Sequence, residues 1–205
     1  MTSYRRITEK IVGKLNPREA YLFYCLALNS DCNTLVSHIK QENLAKFYGI
    51  QKIDQIREWL YKFKEEGLIQ IDKTDINGQY GKFNKCSYRL NSEHYVLITN
   101  KLYNEDISKE LKGFLILLKC KCLNGTNTCK YSQAILAKEL GISESTVSRR
   151  IQEGIQNKFI TKDKNGIHII RDDIFIITNE TTLAITKRIY PEVITDEDLA
   201  RGYIV

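Results

Sequence analysis

Long apolar runs are absent from this sequence. Those present, such as Phe114 to Leu118, fall far short of the roughly 20 residues a helix needs to cross a bilayer, so no membrane partner is expected. The opening segment MTSYRRITEK holds two arginines with no apolar stretch behind them. No secretory signal is therefore expected, and a cytoplasmic location is. Histidine is scarce, and His38, His94 and His168 are isolated from one another in sequence. A phosphate-binding glycine loop, a zinc-peptidase motif and a nucleophile elbow are all missing. The expectation is a protein that is not an enzyme, with no catalytic residues, no cofactor and no evident small-molecule ligand.

Cysteine occurs six times, but without a secretory signal a reducing compartment is the better setting. Cys25 lies in the apolar run LFYCLAL and reads as a small buried residue. Cys120, Cys122 and Cys129 are spaced C-x-C-x6-C. They lack both a C-x2-C pair and a neighbouring histidine, so zinc or a redox switch is the weaker reading and no metal site is expected. At 42% hydrophobic and 27% charged, the chain has the composition of a soluble globular protein. The net charge of +6 suits nucleic acid but decides nothing alone. Charge is uneven: Arg5, Arg6, Lys10, Lys14 and Arg18 crowd the start, and Glu192, Asp196, Glu197 and Asp198 the tail. The tail is expected to stay away from phosphates and to make protein contacts.

What is present is a helix-turn-helix pattern, Leu136 to Ile151, reading LAKELGISESTVSRRI. Ile135, Leu136 and Leu140 would pack the first helix. Gly141 takes a tight turn where a Cβ would strain the backbone. Ile142 fills the angle between the helices, and Ser143 can cap the second. Val147, Ile151 and Ile155 recur at four-residue spacing as one buried stripe. Opposite them lie Ser145, Ser148, Arg149 and Gln152, a polar face able to reach base edges in a major groove.

A second, weaker copy precedes it. NLAKFYG at Asn43 to Gly49 matches ILAKELG at Ile135 to Gly141, an offset of 92. Beyond the turn the offset is 91, setting Ile56 on Val147, Leu60 on Ile151 and Leu68-Ile69 on Phe159-Ile160. The same 91 places Phe23 on Phe114 in the preceding helices. Matches over several elements with a one-residue shift in a loop point to a duplicated domain.

The elements follow. Asn16-Pro17-Arg18-Glu19 starts a helix with a capping box, and Ala20, Phe23, Tyr24, Ala27 and Leu28 form one buried face. Helices are expected over about Gln41 to Tyr48 and Lys52 to Glu66, the latter burying Ile53, Ile56, Leu60 and Phe63 and ending at Gly67. Leu68 to Asp72 and Lys85 to Leu90 read as strands joined by the tip NGQYGK. The second half repeats this with helices over Ile107 to Cys122, Ser132 to Leu140 and Glu144 to Asn157. Strands Phe159 to Lys162 and Ile167 to Arg171 are joined through an Asn-Gly hairpin turn. The connector contains HYVLI, read as a short strand or helix. After Arg171, IFIIT reads as a strand and TTLAITKRIY as a helix broken by Pro191. The fold class expected is mainly α with small β-hairpins (α+β). Its boundaries are a first domain over 1–90, a connector over 91–106, a second domain over 107–178, and a C-terminal helix and acidic tail over 179–205.

In the second domain Arg149 is the first choice for a bidentate contact to guanine, worth about 1–3 kcal/mol of discrimination. Ser145, Ser148 and Gln152 share its face, while Thr146 and Arg150 flank it and would hold phosphates. Tyr131 and Ser132 open the preceding helix, where free backbone amides suit a phosphate oxygen, and Lys162 and Lys164 on the hairpin could reach the adjacent backbone or minor groove. In the first domain the equivalent face is Asp54, Arg57, Glu58 and Tyr61, and two carboxylates repel phosphates. Contacts there would fall to Lys52, Gln55, Arg57 and Lys62 with the helix rolled, and to a basic wing carrying Lys73, Lys82 and Lys85 around Tyr80 and Phe83.

These segments resemble the winged helix-turn-helix superfamily, over roughly Asn16 to Leu90 and Ile107 to Thr178. GISESTVSRRI is similar to recognition segments of bacterial transcription regulators. NPREAYLFYCLALN, ENLAKFYGI, EEGLIQI and a Gly-Lys wing resemble N-terminal domains of plasmid and phage replication initiators. The resemblance implies two tandem winged-helix domains, one mainly for dimer contacts and one mainly for double-stranded DNA. The functional expectation is a sequence-specific DNA binder acting as transcription regulator or mobile-element replication initiator, with a homodimer through the first domain as a further partner. The rival is a winged-helix scaffold for proteins, as in chromosome-segregation subunits: the Arg149-Arg150 face speaks against it, Asp54 and Glu58 for it.

Overall fold

The computed structural model describes residues 3–78, 81–123 and 126–177, and of 75–85 no side chains. Among these residues the fold is mixed α+β, with seven α-helices and three small antiparallel sheets. The expected C-terminal helix and acidic tail, 179–205, lie outside the described residues.

The first half runs β1 (Tyr4–Thr8), α1 (Pro17–Leu28), β2 (Val36–Ser37), α2 (Gln41–Tyr48), α3 (Ile53–Glu65), β3 (Ile69–Gly78) and β4 (Gly81–Leu90). A connector follows with β5 (Tyr95–Thr99) and α4 (Lys101–Asn104). The second half is α5 (Lys109–Lys119), β6 (Thr128–Cys129), α6 (Gln133–Leu140), α7 (Glu144–Gln156), β7 (Ile160–Asp163) and β8 (Gly166–Ile169). The sheets have matching orders, β2-β4-β3 and β6-β8-β7. Helices α2 and α6 start 92 residues apart, and α3 and α7 start 91 apart. The first half therefore carries its extra residue just after the turn. Each turn is closed by a left-handed glycine, Gly49 at φ 81° and Gly141 at φ 65°, the region that costs glycine least.

Helix α1 starts as its sequence demands. Asn16 Oδ1 accepts from the Glu19 amide at 3.1 Å, and the Glu19 carboxylate accepts from the Asn16 amide at 2.9 Å. The single buried face expected for it is not what forms. Pro17 and every residue from Glu19 to Ala27 are buried, because α5 packs on the side opposite the first-half core. α5 is likewise buried from Leu111 to Lys119. At their crossing Gly113 meets the Pro17 carbonyl so closely that an added Cβ would lie 1.6 Å from its oxygen. Nearby the Lys112 ammonium sits 5.3 Å from the centre of the Tyr21 ring, and these two positions are equivalents in the repeat. One buried cluster, from Ile7 to Phe175, runs through both halves.

The connector is ordered. β5 pairs antiparallel with β1, from Tyr4↔Thr99 to Thr8↔Tyr95, and Phe175 bridges to Ile98 on its other edge. The α5 end is tied in by Lys119, whose buried ammonium donates to the Thr126 carbonyl at 2.8 Å and to Asn127 Oδ1 at 2.6 Å. Burial pushes this lysine down to about 8.

Several local expectations are corrected. Ile135 is 50% exposed, and α6 instead buries Leu136, Ala137 and Leu140. Ile155 is 37% exposed, because Gly154 turns inward against Ile160 in its place. Ile53 is only half-buried. α5 is shorter at both ends than Ile107 to Cys122, starting after the Ser108 cap. The first hairpin is longer than Leu68 to Asp72 and Lys85 to Leu90, with register continuing to Gly78↔Gly81. In the second hairpin Asn-Gly is not the turn pair. Lys164 and Asn165 form the turn, with Asp163 accepting from the Asn165 amide at 2.7 Å and the Gly166 amide at 3.1 Å. Gly166 belongs to β8 at φ 142°, where a Cβ would lie 2.4 Å from the Cys129 carbonyl oxygen.

Candidate nucleic-acid interface

The reading-helix candidate, α7, is held by its own sequence at both ends of its first turn. Ser143 Oγ accepts from the Thr146 amide at 3.3 Å, and the Ser143 and Thr146 hydroxyls lie 2.8 Å apart. Val147, Ile151 and Gly154 are buried one helical turn after another, so α7 can present only its opposite side. There Ser145, Arg149 and Gln152 are exposed and Ser148 is half-buried. Among the described residues Arg149 makes no hydrogen bond or ion pair, which leaves its five donors free for an outside acceptor.

Four of the residues expected to meet phosphates come together from two distant stretches of chain. Tyr131 and Ser132 at the start of α6, with Lys162 and Lys164 on the second hairpin, line one groove of about 430 Å3. Ser132 Oγ caps the helix by accepting from the Ile135 amide at 3.3 Å, and the Lys121 ammonium stands 5.2 Å from the centre of the Tyr131 ring. Lys130 and Gln133 line the same groove and were missed in the sequence. Their adjacency to Tyr131 and Ser132 was the available signal. The hairpin is stiffened by His168, whose Nε2 lies 2.9 Å from Asp163 and whose Nδ1 lies 3.0 Å from Thr128 Oγ1. The His168 hydrogen bond, then those from the Asn165 and Gly166 amides, hold the Asp163 carboxyl below its ordinary range.

Thr146 and Arg150 do not line this groove. Thr146 is half-buried against its own cap. Arg150 pairs with Glu153 on the same helix, and its side chain keeps 15% of its accessible surface.

The equivalent surface of the first half differs in charge. Asp54 and Glu58 are exposed on α3, Arg57 is paired with Asp54 at 2.7 Å, and Tyr61 is 47% exposed. A groove of about 300 Å3 lies beside it, lined by Gln41, Arg57, Tyr61, Lys64 and Lys73. Gln41 and Lys73 are the repeat equivalents of Gln133 and Lys164, but this groove is walled by α3, whereas no α7 residue lines the groove of the second half. The side chains of Lys82 and Lys85 lie outside the described residues.

All six cysteines are free thiols. Burial pushes Cys25 and Cys122 up to about 12 and raises Cys120 and Cys129 as well, so these four are held as neutral thiols. No group of three His, Cys, Asp or Glu among the described residues is close enough to hold a metal ion, and none of their helices is long and apolar enough to cross a membrane. Comparison of the chain with family models, curated proteins and solved structures returns no match.

Proposed function

We propose that the chain carries two tandem winged-helix domains and binds double-stranded DNA sequence-specifically through α7, as a cytoplasmic transcription regulator or mobile-element replication initiator. The observation that carries this reading is the exposed face of Ser145, Arg149 and Gln152 on a helix whose other side is locked into the core. The neighbouring groove of Lys130, Tyr131, Ser132, Lys162 and Lys164 supplies the second half of the chemistry. Phosphates would be met there by cations and by the amides opening α6, while base edges meet the α7 face. The reading asks for no cofactor and no catalytic group.

A second reading, a scaffold for protein partners, is favoured by one observation in the first half. Asp54, Glu58 and Tyr61 are exposed on α3, a surface better suited to a protein than to phosphates. That half is also where a homodimer contact would sit.

Selection of bound duplexes from a random library tests the DNA reading. The wild-type protein is expected to enrich a motif, and Arg149→Ala to relax it at one position, with a loss of about 1–3 kcal/mol on the selected duplex. Weak, sequence-blind binding that ignores Arg149→Ala would sink it and turn attention to protein partners.

A further inference from the structure

Arg149 and Arg150 are neighbours in α7 with opposite surroundings. Arg149 is exposed, whereas the Arg150 head is covered, and its Nε is buried with no hydrogen-bond partner. The Arg150 guanidinium pairs through Nη1 with Glu153 Oε2 one turn along. The other Glu153 oxygen accepts from Ser108 Oγ at 2.6 Å. Ser108 in turn caps α5, accepting from the Leu111 amide at 3.1 Å. In the first turn of α5, Glu110 pairs with Arg18 of α1. Burial works against the Glu110 charge, but a backbone hydrogen bond, the Arg18 pair and the nearby Arg150 charge outweigh it and hold this carboxyl low. These side chains form a charged chain from the first half, through the start of α5, to the back of the reading helix. The Arg150 guanidinium is tied to Glu153 and its side chain is mostly covered, so turning it towards a phosphate would loosen a partly buried ion pair.

We propose that Arg150 is a positioning residue: through Glu153 and Ser108 it fixes the angle at which α7 presents Ser145, Arg149 and Gln152, and it touches no phosphate itself. This rests on the DNA-binding reading above, and it moves Arg150 out of the phosphate-holding role that its sequence position suggests.

Anisotropy titrations of the selected duplex and of an unrelated duplex, over a range of salt, separate the roles. The proteins compared are wild type, Arg150→Ala, Glu153→Gln and the double variant. A positioning role predicts that Arg150→Ala weakens the selected duplex by about ten-fold while binding of the unrelated duplex and the salt slope stay at wild-type values. Glu153→Gln, although it removes a negative charge, is expected to weaken the selected duplex too, and the double variant to be no worse than Arg150→Ala alone. A phosphate contact predicts the reverse: the slope of log K against log salt falls by about 0.9 in Arg150→Ala, and Glu153→Gln binds as tightly as wild type or tighter. That pattern overturns the proposal and leaves the DNA reading standing. If Arg150→Ala does not fold, Glu153→Gln decides alone. A wild-type protein with no preferred duplex overturns both.

Discussion

Lys158 and Gly67 hold the same place in the repeat, one residue past the C-cap of α7 and α3, and both are left-handed, at φ 59° and φ 69°. The hydrogen bonds around them match: Phe159 donates to Gly154 and Leu68 to Phe63, each at 2.8 Å. Glycine adopts this backbone without penalty, whereas a side chain pays about 1–2 kcal/mol. Lys158 is exposed, so nothing in its side chain offsets the strain. Lys158→Gly is expected to stabilise the protein by about 0.5–1 kcal/mol once the greater freedom of glycine in the unfolded chain is subtracted. The mirror change, Gly67→Ala, meets no atom within 4 Å and should cost about 1 kcal/mol through backbone strain alone. Urea titration of both variants checks the pair, and equal midpoints for all three proteins would remove strain as the explanation.

Two helical glycines show what element packing demands. At Gly113 an added Cβ would strike the Pro17 backbone at 1.6 Å, and at Gly154 it would meet the Ile160 side-chain end at 2.6 Å. A backbone cannot step aside without moving its helix, whereas a methyl group can change rotamer. Gly113→Ala should therefore cost about 3 kcal/mol or more, and Gly154→Ala about 1 kcal/mol. Denaturant midpoints at unchanged slope would support this order, and a Gly113→Ala variant within about 0.5 kcal/mol of wild type would show that α1 and α5 can separate freely. In the sequence Gly113 carries no mark of its role. Only the crossing partner gives it a meaning.

Across the whole molecule, α1 and α5 bury each other, and the sheet of β1 and β5 with Phe175 ties the start, middle and end of the described chain together. A single buried cluster shared by both halves predicts one cooperative unfolding transition rather than two. The chain has one tryptophan, Trp59, on α3 of the first half, where it packs edge-on to Tyr48 at 5.6 Å. Its fluorescence reports the first half alone, and far-ultraviolet circular dichroism reports the helices of both. Coincident melting by the two probes is expected, and curves separated by more than about 5 °C would mean that the halves unfold independently.

The local elements were legible in the chain itself. The Asn16 capping box, the glycine turns at Gly49 and Gly141, the Ser143 cap and the change of offset from 92 to 91 depend on residues a few positions apart, and short-range chemistry settles them. Legible too was the exposure of Ser145, Arg149 and Gln152, since helical periodicity assigns them to the side opposite Val147 and Ile151. Three things were decided only in the tertiary structure. α1 became buried all round, because periodicity marks one apolar face and does not say what will cover the other. Tyr131, Ser132, Lys162 and Lys164 met in one groove, because a helix start and a hairpin some 30 residues apart are brought together by β6 pairing with β8. Arg150 turned from solvent to Glu153, whose other oxygen accepts from Ser108, more than 40 residues away in the chain, where no local pattern can show it.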